Sequence, residues 1–348
     1  MDMVATGKAE QGRFPNMDMD ANGSHVSVIG FFREKGFDDE TIHAMLKKCK
    51  HLEVVDRERA RENWTYLNSI GIKERKLPYV VSKCPKILIL GLNEKLMPMV
   101  QCLSTLAAKP SEVALAITKF PNVLFHSIEE KLCPLLAFFQ ALGIQEKQAG
   151  KLLLFNPRLI SYSIESKLAR IVDFFASLDL NKDGMIGKIL LKNPFIMGYS
   201  VEKRLRPTTE FLKSVGLTEL DLQRLAMNFP EVLCRDVDKI LRPNWVFLQR
   251  NGFSNGQIAV LVAGYPPILI KSIKNSLEPR IRFLTEVMGR RTEEATEYPD
   301  FFRHGLKKRL EFRHRLLSQR NIHCSLSEML ECNHKKFTVK FGLIEGLS

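Results

Sequence analysis

Four basic side chains recur at one interval through the middle of this chain. Lys95, Lys131, Lys167 and Arg204 lie 36, 36 and 37 residues apart, and Lys239 follows one place ahead of the next step in that series. Ammonium and guanidinium groups at a fixed interval can do one kind of chemistry, which is to hold a run of anions. The phosphates of a nucleic acid are the commonest such run. Arg170, Arg206, Arg242, Arg280 and Arg282 add charge in the turn that follows each step. Residues 301–348 hold ten Lys and Arg against four Glu, a net of +6, concentrated in Arg303, Lys307, Lys308, Arg309, Arg313 and Arg315. The whole chain carries a formal +13. The competing reading is a solvated lysine surface, with Glu129, Glu165 and Glu202 partly neutralising the row.

Other chemistries find little support. There is no phosphate-cradling glycine loop, no Gly-x-Ser-x-Gly elbow and no His-Glu-x-x-His pair, so no enzyme is expected. Asp179-Leu180-Asn181-Lys182-Asp183-Gly184 copies the first half of a calcium loop, but its twelfth position is Leu190, which offers no oxygen. His323, Cys324, Cys332 and His334 match no common zinc spacing. No metal and no cofactor are expected. The seven cysteines contain no Cys-x-x-Cys pair and read as free thiols in a reducing compartment. No run of about eighteen apolar residues exists, so no membrane span is expected.

A row of charges needs elements that repeat. Pro85, Pro121, Pro157, Pro194, Pro230 and Pro266 are 36, 36, 37, 36 and 36 residues apart, each followed two and three places later by a pair such as Ile87-Leu88 or Val232-Leu233. Eleven residues past each proline stands Leu: Leu96, Leu132, Leu168, Leu205, Leu241 and Leu277. Phe138, Phe174, Phe211, Phe247 and Phe283 stand seventeen past, and Gly71, Gly143, Gly216 and Gly252 fourteen before. Degenerate units are expected around Lys50 and Pro299. Such a period predicts a solenoid, each unit burying a face against its neighbours.

Each unit reads as two helices. Leu222, Leu225, Ala226 and Phe229 have helical spacing, and the proline that follows stops the helix at Phe229. Ser127, Ser163, Ser200, Asp236 and Ser272 are suited to capping the second segment, Ser127 with capping-box spacing to Glu130. Pro98, Pro134, Pro207, Pro243 and Pro279 fall inside that segment. Either the helix kinks there, or a short turn precedes a helix that begins at the proline. The expected organisation is a flexible segment over 1–26, a repeat domain over 27–319 and a basic capping segment over 320–348.

With the repeat phased, the chain resembles the mitochondrial transcription termination factor (mTERF) family. The resemblance rests on the Pro-x-aliphatic-Leu core, as in Pro85-Lys86-Ile87-Leu88 and Pro230-Glu231-Val232-Leu233. It rests also on the Leu-x-Pro…Phe-Leu…Gly pattern of Leu205-Arg206-Pro207, Phe211-Leu212 and Gly216. It covers about residues 30 to 320. The ending around Ser325–Leu330 and Phe337–Phe341 looks like that of plant organellar members.

The resemblance implies an all-α, right-handed or crescent-like solenoid, two α-helices and a short 3₁₀ turn per repeat, with a positive concave groove. It implies binding of double-stranded DNA or of RNA, in transcription termination or in maturation of organellar transcripts, including tRNA processing and intron splicing. It places the protein in chloroplast or mitochondrion, with organellar transcription or RNA-processing proteins as further partners. Residues 1–26 hold several acids and little Arg or Ser, unlike a transit peptide, which leaves the completeness of the N-terminus open. The second reading is a scaffold that binds a protein partner. Few Tyr and Trp are present, and the recurring Phe reads as core, which favours backbone contact with a helical nucleic acid over base stacking.

Overall fold

A computed structural model describes residues 28–182 and 184–343. The segment 1–26, expected to be flexible, lies outside the described residues. Among the described residues every regular element is helical and no strand occurs. Two compact units divide the chain, Met1–Phe125 and His126–Ser348.

In the second unit one repeat runs through four elements. The helix Glu219–Asn228 ends at Phe229, because the ring of Pro230 excludes helical geometry from the residue before it. Pro230 then opens a 3₁₀ turn, Pro230–Val232, whose aliphatic pair Val232 and Leu233 is fully buried. Asp236 caps the next turn by accepting from the backbone N–H groups of Asp238 and Lys239. A second helix, Arg242–Arg250, completes the repeat. Gly252 follows at φ +90°, a left-handed conformation that glycine adopts without a Cβ clash, and Gly143 and Gly216 do the same. In the longer repeat Asp179 takes this place, at φ +57°.

The internal proline resolves as a short turn ahead of the helix, with one element the sequence did not disclose. That turn is a π-helical turn, in which the repeat leucine donates its N–H five residues back, to the carbonyl of the capping residue. Leu132 bonds Ser127 at 3.1 Å, Leu168 bonds Ser163 at 3.1 Å, Leu205 bonds Ser200 at 3.3 Å and Leu241 bonds Asp236 at 3.2 Å. The following proline, as in Arg242-Pro243, then sits in the first turn of the α-helix, where a missing N–H costs nothing. Proline suits this turn but does not cause it. Ile164–Leu168 and Leu306–Glu311 form the same turn with Arg170 and Phe312 at the proline's place. The serine and aspartate caps therefore open a wide turn rather than an α-helix. At Ser127 only half of the expected capping box forms: its hydroxyl accepts from the Glu130 N–H, while Glu129 takes the hydroxyl proton.

The first unit contains the control. There Lys50–Val54 leads into one uninterrupted helix, Arg57–Ser69, with no wide turn and no proline. Asn63, thirteen residues past Lys50, donates to the carbonyls of Ile87 and Leu90 at 3.0 and 2.9 Å. Asn244, fourteen past Pro230, donates in the second unit to the equivalent carbonyls of Ile268 and Lys271 at 3.3 and 2.8 Å. The same bond is made one residue later, because a π turn is an α-helix with one residue inserted.

The repeat leucines 96, 132, 168, 205, 241 and 277 are all buried to within 1%, each stabilising its repeat by about 1.5–3 kcal/mol relative to exposure. All seven cysteines are free thiols. Burial pushes Cys84 up to about 11 and Cys234 up to about 12, which keeps both protonated and unreactive. No helix among the described residues is long and apolar enough to cross a membrane.

Candidate nucleic-acid interface

The wide turn decides where the in-phase cations point. In the second unit, Lys167 donates to the Gly198 carbonyl of the following repeat at 3.0 Å, and its ammonium lies 4.2 Å from the centre of the Tyr162 ring. Arg204 pairs with Asp236 of the following repeat at 2.9 Å, its side chain 28% exposed. The Asp236 carboxyl is held below the usual range, first by the Lys239 backbone N–H and then by Arg204. Arg309, at the same phase past Pro299, donates to the Leu330 and Cys332 carbonyls. Three members of one register thus tie their repeat to the next segment of chain, and the expected row of free contacts is in good part a row of inter-repeat bonds.

Four predicted site residues are taken up by nearby acids. Arg170 and Arg206 both reach Glu202, at 3.3 and 3.2 Å. Arg242 pairs with Asp238 at 3.1 Å and covers the Phe211 ring at 5.2 Å. Arg282 pairs with Glu286 at 3.3 Å. These pairs are exposed, so a phosphate can compete for the guanidinium. Lys131 is exposed, and its charge helps to hold Glu165 ionised, after hydrogen bonds from the Glu165 backbone and the Ser163 hydroxyl. Lys95 belongs to the first unit, where it is half-buried on the turn Leu92–Leu96.

Arg313 and Arg280 are corrections to the sequence reading. Arg313 is 3% exposed, donates to the Met329 and Cys332 carbonyls at 2.6 and 2.8 Å, and stacks over Phe337 at 4.4 Å. It anchors the end of the helix Leu326–Leu330, and its burial closes it to a ligand. Arg280 donates to the His304 carbonyl at 3.0 and 2.9 Å and to Ser276. Both stand fourteen residues past a motif proline, the register of Asn244 and of Thr208, which donates to the Arg235 carbonyl at 3.2 Å. This polar register binds the carbonyls of the next turn. Its signal in the sequence is the polar residue just after the internal proline, in Pro207-Thr208, Pro243-Asn244 and Pro279-Arg280.

What remains open to a ligand gathers toward the end of the second unit. Lys239, Lys274, Lys307 and Lys308 are exposed on their wide turns and make no ion pair among the described residues. Arg303 pairs with Asp300 at 3.0 Å and lies over Tyr265 at 5.3 Å; Lys271, absent from the sequence reading, lies 5.4 Å from the same ring. Burial, then repulsion from Arg280, lowers the Lys271 pKa. His304 stacks on Tyr298 and is lowered to about 4, by burial first and then by Arg309, Arg313, Arg303 and Arg280, so it is neutral at physiological pH. An excess of fixed positive charge with few acids attracts polyanions. Among the described residues no cluster of His, Cys, Asp and Glu could hold a metal ion.

The mTERF family profile matches residues 17–140 and 127–338. A curated relative from Arabidopsis thaliana, "Transcription termination factor MTERF6, chloroplastic/mitochondrial", is 68% identical over 321 residues, which cover 92% of this chain and 96% of the relative.

Proposed function

Since the chain belongs to the mTERF family, we propose that it is an organellar transcription-termination-type factor that grips a nucleic-acid backbone without catalysing a reaction. Its place is the chloroplast, the mitochondrion or both, as the name of the Arabidopsis relative says of that protein. It acts on double-stranded DNA or RNA, in termination or in maturation of organellar transcripts such as tRNA processing and intron splicing. The observation that carries the reading is the set of exposed lysines on successive wide turns, Lys239, Lys274, Lys307 and Lys308, beside the acid-paired Arg242 and Arg282. Such contacts position a backbone and carry no sequence information themselves.

The test is a salt titration of binding to duplex DNA and to RNA. Phosphate contacts release counterions, so the logarithm of affinity should fall linearly with the logarithm of salt. Absence of binding to either polymer at low salt, with affinity for a protein instead, would overturn the reading in favour of a scaffold.

A further inference from the structure

Two phenylalanines stand where most other repeats carry a polar group. Phe155 ends the helix Glu146–Phe155 and is 51% exposed; Phe195 is the second residue of the turn Pro194–Gly198 and is 50% exposed. Their ring centres are 5.3 Å apart at an interplanar angle of 57°. In adjoining repeats of the same unit these two registers hold Lys192 and Asn228, and Arg158 and Glu231. Rings left half in water forgo part of the stabilisation that burial gives, so their exposure needs a reason.

Their surroundings are cationic. Lys151 lies one turn before Phe155 on the same helix face, and Lys188 lies one turn before Lys192 on Met185–Lys192. Lys151 and Lys188 are exposed and make no ion pair among the described residues. No acid occupies any of these registers in the two repeats, unlike the wide turns, where Glu165 and Glu202 interleave with the cations. A protein partner needs about 800 Å² on each side for a stable interface, and two rings in a field of cations supply little apolar area towards it. Aromatic rings flanked by the ammonium groups of Lys151 and Lys188 suit nucleobases and their phosphates.

We propose that this strip binds an unpaired stretch of nucleic acid. Bases stack on Phe155 and Phe195, and Lys151 and Lys188 hold the phosphates beside them. The proposal rests on the nucleic-acid reading above and adds to it a single-stranded site on the first helices of two repeats and the 3₁₀ turn of the second, apart from the wide turns.

The experiment compares a short mixed-sequence single-stranded RNA with the duplex DNA of the same sequence, on the full chain. In the double variant Phe155→Leu, Phe195→Leu the surface stays apolar but loses its π faces. Its affinity for the single strand should fall about tenfold or more, with duplex affinity and the salt slope unchanged. Tyrosine at both positions should restore binding. Lys151→Gln with Lys188→Gln should instead reduce the single-strand salt slope by about 1.4. An unchanged single-strand affinity in the leucine variant, or an equal loss on both polymers, overturns the proposal. Wild-type protein that binds duplex alone removes the strip and leaves the proposed function standing; protein that binds neither removes both.

Discussion

The wide turns in the middle of the second unit and those at its end carry similar residues and put them to different uses. On Ile164–Leu168 and Val201–Leu205 the cations meet a carbonyl or carboxylate of the next repeat: Lys167 with Gly198, Arg204 with Asp236. On Ile273–Leu277 and Leu306–Glu311, Lys274 and Lys307 stand two places earlier in the repeat, where the middle turns carry Glu165 and Glu202, and with Lys308 they have no such partner among the described residues. Yet Arg309 and Arg313, within or just beyond the last turn, are turned inward on the chain's final helices. Charge at one phase of a solenoid therefore does not by itself make a binding surface. What the neighbouring repeat offers at that phase decides between a bolt and a contact.

The contrast is broken most severely at Arg313. Arg313→Ala leaves the Met329 carbonyl without its donor and the Cys332 carbonyl with Arg309 alone, and it uncovers Phe337, at a cost of about 3 kcal/mol; thermal unfolding measures it. A variant as stable as wild type would return Arg313 to the list of ligand contacts. Asn244→Ala should cost about 1–3 kcal/mol in the same measurement, since two buried carbonyls lose one shared donor. Next comes the pair Lys307→Gln, Lys308→Gln, expected to leave the melting temperature unchanged and to lower the duplex salt slope by up to about 2. Lys167→Gln should do the reverse, losing under about 1 kcal/mol of stability with the slope unmoved. A change in slope at Lys167 equal to that at Lys307 would erase the distinction.

The last effect is absent at neutral pH and appears only on acidification. His304 titrates near 4 in the folded chain against 6.5 for an unperturbed histidine. Between these values the unfolded chain binds the proton and the folded chain does not, so stability is full above about 6.5 and declines as pH falls toward 4. His304→Gln should flatten that part of the stability profile, read by denaturant unfolding at stepped pH. An unaltered profile would mean that the imidazole is not held neutral by its surroundings.

Much of the fold was legible. The proline period placed every 3₁₀ turn from Pro85 to Pro299, and Ser163, Ser200, Asp236 and Ser272 cap where their type and position predict. The candidate site was less so. Phe155 and Phe195 were invisible because the phenylalanines in phase read as core, as Phe174, Phe211 and Phe283 are, and Lys271 because only Arg235 shares its register and charge. Arg280 and Arg313 were read as contacts because a sequence shows a charge and not the carbonyls folded against it.

Local chemistry is enough to fix what the chain writes by itself. A ring that forbids helix before it, hydroxyls that accept from N–H groups three residues on, and leucines at one period determine an all-helical repeat whatever the neighbours do. Two matters waited for the packed chain. One is the wide turn, since bonds four and five residues back differ by a single inserted residue that the caps do not announce. The other is the fate of each cation, because a guanidinium's partner is chosen across the gap between repeats, where distances of about 3 Å separate a hydrogen bond from open solvent.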